Sequence, residues 1–222
     1  KGKNFYDKGQ GINAEPLTNS SQDMASLRTQ IEKIMSRTYT ICDTSKPKAV
    51  KITNQNLHRD VDIVTSSWFQ SLDYVLDGMP ENERGIKIYN KSTGLSEGPD
   101  YPFLSISRIN QRSADTNGRL KRMIRFLKNV RTDSEKDIPL TSFEINAICY
   151  SIPVQDYVQK EYKDLVYILW HTMFHLWNDG KQDDLKSVVG NEYVFKDKPE
   201  KLAALKVLED EVYKINKDLG NI

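Results

Sequence analysis

Apolar residues recur at helical spacing through much of the second half of this 222-residue chain. The clearest case is the segment Asn117–Arg131, where apolar positions follow steps of three and four: Leu120, Met123, Ile124, Leu127 and Val130. Such a stripe faces a core in a folded protein. The same spacing predicts long helices at Val154–Asn178 and Pro199–Leu219. We therefore expect a region that is almost wholly helical and that opens at Asn117.

A short polar sequence marks the start of another helix in this region. Thr141 and Glu144 have the Thr-x-x-Glu spacing of a capping box. In this motif the side chain of each residue accepts a hydrogen bond from the backbone N–H of the other. Pro153 disfavours a helical conformation for the residue before it. The pattern therefore predicts a helix that begins near Ser142 and stops before Pro153.

The first half of the chain combines one helix with several extended segments. Residues 21–37 carry an amphipathic helical pattern. Ala49–Thr53 and Arg59–Val64 have the composition of strands, and the turn-prone residues 54–56 lie between them. Gly85–Tyr89 reads as another strand. These signals predict an antiparallel pair of strands with further sheet after it.

Three segments of the first half give weaker signals. Trp68–Leu76 fits a helical template, but its aromatic and β-branched content also suits a strand. Residues 1–20 are rich in Gly, Asn and Ser and predict a loop-like arm. Residues 90–102 contain Gly, Pro and several polar residues, so they predict a loop that separates two domains.

The stripe at Asn117–Arg131 carries a second pattern, of positive charge. Arg119–Arg131 contains six cationic residues and no acidic one, although the whole chain has a net charge of +1. Lys121, Arg125 and Lys128 stack at helical spacing, so their charges repel one another unless an anion lies beside them. A polyanionic partner is one interpretation, and a solvated basic face without a ligand is the other.

The overall composition is 38% hydrophobic and 28% charged, which is typical of a soluble globular protein. The two cysteines, Cys42 and Cys149, are far apart, which fits a reducing compartment rather than a disulfide scaffold. No run of about 18 apolar residues occurs, so we expect no membrane partner. These features predict a cytoplasmic protein.

Two aspartates on a predicted strand form the first candidate site. Residues two apart on a strand point to the same face at about 6.6 Å, so Asp60 and Asp62 project together. A divalent cation such as Mg²⁺, which prefers oxygen ligands, would relieve their mutual repulsion. The alternative is a strand edge whose acidic residues face solvent, and the spacing alone leaves the two interpretations even.

A lysine and a serine form the second candidate site. Lys128 lies near the end of the basic helix, and Ser142 lies in the first turn of the next helix. Free backbone N–H groups and the helix dipole favour an anion at that position. A helical hairpin would bring the two residues together at an anion. Ser142 as an ordinary first-turn residue is the simpler interpretation of the spacing.

Two histidines have the spacing of metal ligands on one helical face. His171 and His175 lie four residues apart. No His-Glu-x-x-His arrangement is present, and the neighbours Trp170, Met173 and Phe174 suggest a core. We therefore interpret both histidines as structural.

Several segments together resemble a known family. They are Ala49–Ile52, Val61–Val64, Arg84–Ile88, Asn117–Lys128 and Leu140–Ile145. Their sequences are similar to those of bacterial relatives of oligoadenylate synthetase and cyclic GMP–AMP synthase, which are nucleotidyltransferases of the polymerase-β-like superfamily. The resemblance covers residues 21–219.

The resemblance implies an α+β fold with two domains. Residues 1–105 would be a partial nucleotidyltransferase core, with residues 1–20 as its arm, and residues 106–222 would be a helical substrate-binding domain. The reaction implied is attack of a 2′ or 3′ hydroxyl on a nucleoside triphosphate, with release of pyrophosphate. The product would be a cyclic or linear oligonucleotide signal.

The resemblance also assigns roles to individual residues. Asp62 matches the family's third metal-binding carboxylate and would be the catalytic residue, with Asp60 as a second candidate ligand of Mg²⁺. Lys128 and Ser142 match the residues that contact the nucleoside triphosphate. Arg125 would contribute charge nearby.

One departure from the family pattern is serious. No Gly-Ser motif followed by an acidic pair precedes Asp62, and two-metal phosphoryl transfer needs several carboxylates. The two-metal Mg²⁺ site is therefore incomplete in this chain, and we expect the chain alone to be inactive. The missing part would have preceded Lys1 or would lie on a complementary N-terminal fragment. The alternatives are a member that has lost activity, and Asp60 with Asp62 as the acidic pair itself.

A second hypothesis belongs to a different class of protein. The chain would be a non-catalytic module that binds a nucleotide or nucleic acid through its basic helix. Steep loss of polynucleotide affinity with salt would favour this hypothesis, whereas saturable binding of one triphosphate would favour the first.

Overall fold

The computed structural model describes residues 20–54 and 59–222. The predicted arm and most of the predicted turn at residues 54–56 lie outside them. By its contacts the chain divides after Leu104 into two compact units. We call the described residues before the division the sheet unit and those from Ser105 onward the helical unit, and we describe each by itself.

The sheet unit begins with a helix and a small antiparallel sheet. Helix α1 spans Ser20–Thr38, and strands β1 (Cys42–Asp43), β2 (Ala49–Asn54) and β3 (Arg59–Val64) follow in the order β1-β2-β3. The predicted helix and the predicted antiparallel pair are confirmed. Strand β1 extends the pair to three strands, which we call the first sheet.

A second antiparallel sheet completes the sheet unit, in the order β4-β5-β6. Strand β4 (Ser66–Phe69) is followed by helix α2 (Leu72–Leu76), strand β5 (Gly85–Asn90) and strand β6 (Leu95–Asp100). A 3-10 turn at Glu81–Glu83 precedes β5. The ambiguous segment Trp68–Leu76 thus contains both a strand end and a helix.

Strand β6 corrects the prediction of a loop at residues 90–102. Its sequence contains Gly98 and Pro99, which usually interrupt strands. The segment is extended because it pairs with β5, with Tyr89 opposite Ser96 and Asn90 opposite Leu95. Pairing with the preceding strand, rather than the segment's own composition, therefore decides its conformation.

The interior of the sheet unit contains a buried cation. The Arg28 side chain is only 2% exposed, and its Nε donates to Glu32 Oε1 at 2.9 Å. Its Nη2 donates to the carbonyl oxygens of Lys46 and Ala49. In contrast, Leu27 of the same helix is 40% exposed. Arg28 therefore joins α1 to the segment that leads into β2.

The helical unit consists mainly of helices, with a long connection at residues 179–198 between the last two. The helices are α3 (Pro102–Asp115, which begins before the division), α4 (Arg119–Asp133), α5 (Ser142–Ser151), α6 (Val154–Tyr157), α7 (Tyr162–Asn178) and α8 (Pro199–Asp218). A 3-10 turn at Lys181–Asp184 follows α7. Within the residues that the structure describes, no helix is both long and apolar enough to cross a membrane.

Two helix predictions in this unit need correction. The helical region does not open at Asn117, because α3 precedes it, and the left-handed residues Asn117 (φ 51°) and Gly118 (φ 79°) separate α3 from α4. The single helix predicted at Val154–Asn178 is two helices. Gln159 between them has a φ of 62°, and a capping box at Glu161 starts α7 anew.

A continuous apolar core joins α4, α5, α7 and α8. Its members include residues with no measurable exposure: Leu120, Leu127, Ile148, Leu169 and Leu205. The predicted stripe of α4 supplies four buried residues. The capping box of Thr141 and Glu144 is also confirmed. The described protein is therefore α+β, with antiparallel sheets followed by a helical domain, as the sequence predicted.

Candidate functional site

The two candidate metal ligands on β3 differ in their surroundings. In the register of the first sheet, Asp62 lies opposite Lys51 and Asp60 lies opposite Thr53. Lys51 Nζ is 2.5 Å from Asp60 Oδ2, and the Thr53 hydroxyl donates to Asp60 Oδ1. The hydrogen bond from Lys51 is the main reason why the pKa of Asp60 lies below its usual value. Both oxygens of Asp60 thus already have partners.

Asp62 is the more available of the two carboxylates. Its side chain is 59% exposed, and its nearest cationic partner is Lys46, whose Nζ lies 3.9 Å from Oδ1. At that distance and exposure the pair contributes little to stability. The structure therefore leaves Asp62 open to a ligand, whereas Asp60 is held by Lys51 and Thr53.

The carboxylates of the described residues suit one cation that also binds substrate phosphates better than they suit a complete two-metal centre. Among residues 20–54 and 59–222, no three His, Cys, Asp or Glu side chains are grouped to hold a metal ion. Mg²⁺ is commonly bound through one or two carboxylates together with water and substrate phosphates. Asp62 fits one such position. Further carboxylates would be needed for two ions.

The basic face of α4 is divided between exposed and half-buried cations. Lys121 and Arg125 are exposed, whereas Lys128 is half-buried. In the part of the chain that the structure describes, no cation of α4 takes part in an ion pair. The positive charge of this helix is therefore uncompensated by neighbouring carboxylates.

Lys128 lies in an environment that disfavours its own charge. Partial burial is the main cause that lowers the pKa of its ammonium group, and the charge of Arg131 lowers it further. Arg131 lies three residues further along α4, on the same side of the helix. An anion beside these two cations would relieve both their repulsion and the loss of solvation.

Arg131 also connects this cationic pair to the start of α5. Its Nη1 donates to the carbonyl oxygen of Leu140 at 2.7 Å, two residues before Ser142. Sequence reasoning missed this residue, although its position three residues after Lys128 was a usable signal. The structure therefore places a cation of α4 beside the residues that begin α5.

The first turn of α5 retains unused hydrogen-bond donors at Ser142. The Thr141 hydroxyl accepts from the Phe143 amide, and the Glu144 carboxylate accepts from the Thr141 amide. Ser142 is exposed at the first helical position. Within the described residues, neither its amide nor its hydroxyl has a hydrogen-bond partner. Such a position favours an anion.

One residue of α8, Lys201, holds this turn in place. The Glu144 carboxylate is buried and lies 3.2 Å from Lys201 Nζ. Lys201 also donates to the carbonyl oxygen of Pro139. Burial alone would raise the pKa of Glu144, but hydrogen bonds from Thr141 and Lys201 hold it below its usual value. The capping carboxylate therefore stays charged and fixed.

The two histidines of α7 do not lie in the core. His171 is exposed, and the rings of His171 and His175 are 4.2 Å apart. His175 Nδ1 lies 2.9 Å from Asp179 Oδ2. Of the neighbours that suggested a core, Met173 is buried and Trp170 packs against α8 through Glu209 and Tyr213, whereas His171 lies on the exposed side of α7.

Comparison with known proteins identifies the class to which this fold and these residues belong. Residues 107–216 match the family model of the cGAS/DncV-like nucleotidyltransferase C-terminal helical domain. The chain carries the C-terminal helical domain of this family of nucleotidyltransferases.

Two relatives resemble both units of the chain. A c-di-GMP synthase from Lachnospiraceae bacterium (strain RUG226) is 73% identical over 201 residues, which are 90% of this chain and 58% of that protein. The solved STING-associated CdnE c-di-GMP synthase from Capnocytophaga granulosa is 45% identical, with a TM-score of 0.80 over 91% of this chain and 65% of that one. The chain therefore spans about three fifths of the length of these relatives.

A more distant solved structure shares the fold. The CdnE cyclic dinucleotide synthase of Elizabethkingia meningoseptica, solved with GTP and Apcpp, is 16% identical and has a TM-score of 0.64. The match covers 86% of this chain and 70% of that one. Nucleoside triphosphates are thus ligands of a protein with this fold.

Proposed function

We propose that this chain is the C-terminal part of a nucleotidyltransferase that converts GTP into the cyclic dinucleotide c-di-GMP. The observation that carries the proposal is the 73% identity to a c-di-GMP synthase, which extends over 90% of the chain. In the reaction a ribose hydroxyl attacks the α-phosphate of a nucleoside triphosphate. The bond between the α- and β-phosphates breaks, and pyrophosphate leaves.

We assign the triphosphate contacts to the helical unit. Lys128 and Arg131 supply a partly desolvated pair of positive charges, and Ser142 supplies a free amide and hydroxyl. One ammonium about 4 Å from a phosphate charge contributes about 4 kcal/mol at an effective dielectric of 20, before desolvation is subtracted. Arg125 is exposed and adds long-range attraction.

We assign a metal-binding role to Asp62 in the sheet unit. Its open carboxylate would be one ligand of Mg²⁺, which supplies positive charge to the phosphates when it is bound. In the same unit, Asp60 is kept charged by Lys51 and Thr53 and adds negative potential beside Asp62.

The triphosphate contacts are tested by nucleotide affinity. Lys128→Ala is expected to weaken GTP binding by about tenfold, because it removes a partly desolvated cation. Ser142→Ala is expected to weaken it by about threefold, because the backbone amide remains. Isothermal titration calorimetry measures both. Lys163→Ala, which removes an exposed charge of α7, is the matched control and should leave the affinity unchanged.

The role of Asp62 is tested by product formation in the protein that carries this chain. Asp62→Asn should abolish c-di-GMP synthesis from GTP and Mg²⁺, as followed by liquid chromatography and mass spectrometry. Asp77→Asn, an exposed position of the same unit, controls for the loss of one negative charge. Pyrophosphate release at the unsubstituted rate by Asp62→Asn would show that this role is wrong.

A non-catalytic nucleic-acid-binding module is the second candidate function. The exposed and unpaired cations Lys121 and Arg125 favour it. Under this alternative, affinity for a long polynucleotide falls steeply between about 50 and 200 mM salt. Lys121→Ala would then weaken polynucleotide binding and leave GTP binding unchanged.

A further inference from the structure

A groove of about 540 Å³ lies on one face of the second sheet. Its lining combines apolar side chains with polar groups, and the members that matter here are Ser66, Trp68, Ile86, Asp100 and Phe103. All of these residues belong to the sheet unit. None of them has a role in the candidate site described above.

Three of the lining residues form a row across the three strands. Trp68 on β4 lies opposite Ile86 on β5, and Ile86 lies opposite Asp100 on β6. Neighbouring strands are about 4.8 Å apart, so the row is about 10 Å long. The pairing of β5 and β6 is irregular here. Ile88 lies two residues after Ile86, but its partner Glu97 lies three residues before Asp100. Such bulges change the direction in which the neighbouring side chains point.

One end of the row presents aromatic surface. Trp68 is 54% exposed and Phe103 is 43% exposed, and their rings are 5.7 Å apart at an angle of 40°. The guanidinium of Arg84 lies over the Trp68 ring at 4.3 Å. Together with the Ile86 side chain, the two rings form an apolar surface against which a planar ring can pack.

The other end of the row presents a hydrogen-bond acceptor. Asp100 Oδ1 accepts from the Tyr101 amide at 2.7 Å, and Oδ2 has no partner among the residues that the structure describes. A carboxylate only accepts hydrogen bonds, so it complements two adjacent N–H groups. Guanine carries such a pair at N1 and N2, whereas adenine presents the acceptor N1 at the same edge.

The groove lies beside the proposed metal ligand. Val64 also lines it, and Val64 and Asp62 are two residues apart on β3. They therefore project from the same face of the strand, at a separation of about 6.6 Å. A base held in the groove would have its sugar and phosphates near the Asp62 end of β3.

We infer that this groove binds the guanine base of a GTP substrate. Asp100 accepts hydrogen bonds from the N1–H and N2–H groups of the base, and Trp68, Ile86 and Phe103 pack against its ring. The inference rests on the proposed function and adds to it the residue that selects guanine over adenine.

Asp100→Asn tests this selection directly. The amide oxygen can still accept from the Tyr101 amide, but an NH₂ group replaces the free oxygen and then faces the N–H groups of guanine. GTP affinity should fall by about 5- to 150-fold, and ATP affinity should be retained or increase. Calorimetric titration with each nucleotide gives the ratio of the two affinities. Asp77→Asn, in the same unit, is the control for charge and should keep the original ratio.

A second variant tests the aromatic wall. Trp68→Ala should weaken GTP and ATP binding alike, by about 5- to 100-fold, because stacking does not distinguish the bases. Affinities equal to those of the unsubstituted protein would overturn the placement of the base in this groove. Thermal unfolding of each variant shows whether the exposed positions leave the fold unchanged.

The outcomes separate this inference from the proposed function. If Asp100→Asn keeps the GTP-to-ATP ratio of the unsubstituted protein, the base does not contact Asp100, and the proposed function still stands. Lys128→Ala should lower both affinities without changing their ratio. If the unsubstituted protein binds neither nucleotide, the proposed function fails and the inference fails with it.

Discussion

The helical unit buries many more apolar side chains than the described part of the sheet unit does. In the helical unit, buried apolar side chains form one connected core, whose first member in the sequence is Leu120 and whose last is Val212. In the sheet unit, the largest fully buried side chain is that of Arg28. Several large apolar side chains of the sheet unit are instead exposed, including Trp68, Leu76 and Leu95 at 54%, 60% and 61%.

The two units therefore differ in how much apolar packing they contain. Apolar packing stabilises the helical unit, since burial of apolar area is the main favourable term in folding. In the sheet unit, hydrogen bonds from Arg28 to the Lys46 and Ala49 carbonyls join α1 to the segment that leads into β2. Truncation of an apolar residue and removal of a charge should therefore have different effects in the two units.

The largest effect is expected from truncation in the helical core. Leu127→Ala should lower the free energy of unfolding by about 3 kcal/mol, because the side chain has no exposure and its loss leaves a cavity. Urea unfolding followed by circular dichroism measures this change. Leu95→Ala in the sheet unit, at an exposed position, should change it by less than about 0.5 kcal/mol. Equal effects of the two variants would remove the contrast between the units.

A somewhat smaller effect is expected from the buried cation of the sheet unit. Arg28→Met should destabilise this unit by about 2 kcal/mol, because two carbonyl oxygens and the Glu32 carboxylate lose a donor. Hydrogen exchange should show faster exchange of the β2 amides and unchanged exchange in α7. Arg37→Met, at an exposed position of α1, is the control. Unchanged protection of β2 would mean that Arg28 does not stabilise the sheet.

The smallest effect concerns pH and the capping box of the helical unit. Glu144 has a pKa below its ordinary value of 4.5 in the folded protein, because the hydrogen bonds to its carboxylate outweigh burial. Its stabilising contribution is therefore complete above the unfolded-state pKa and is lost as pH falls through the folded-state pKa.

Glu144→Gln measures that contribution. The variant should be less stable than the unsubstituted protein by about 1 kcal/mol at pH 7, and the difference should shrink by about pH 3. Urea unfolding at both pH values provides the comparison. Glu200→Gln, at an exposed position in the first turn of α8, controls for the loss of one negative charge. A difference that stays constant with pH would assign the effect to packing rather than charge.

Local patterns in the sequence were sufficient to predict many of the elements. The apolar stripe of α4, the capping box of α5 and the start of α8 at Pro199 each depend on residues within a few positions of one another. Strand β6 was missed because Gly98 and Pro99 favour a loop, whereas pairing with the preceding strand β5 makes the segment extended. The break before α7 requires a left-handed Gln159, which its sequence does not signal.

The candidate site likewise depends on helix packing and strand register as well as on local sequence. The resemblance assigned Asp62, Lys128 and Ser142 roles that stay predictions. The contact of Arg131 with Leu140 depends on how α4 and α5 pack, and sequence spacing does not show it. The engagement of Asp60 by Lys51 depends on the strand register.

Lys201 links the first turn of α5 to a helix that begins almost 60 residues later. It contacts both Glu144 and the carbonyl oxygen of Pro139, on either side of the Thr141 cap. The donors of Ser142 are therefore fixed before any ligand arrives, and the entropy of ordering them is lost during folding rather than during binding. An anion at Ser142 would in turn stabilise the helical unit by mass action. Under the proposed function, substitutions at Lys201 would thus change nucleotide affinity through the position of Ser142.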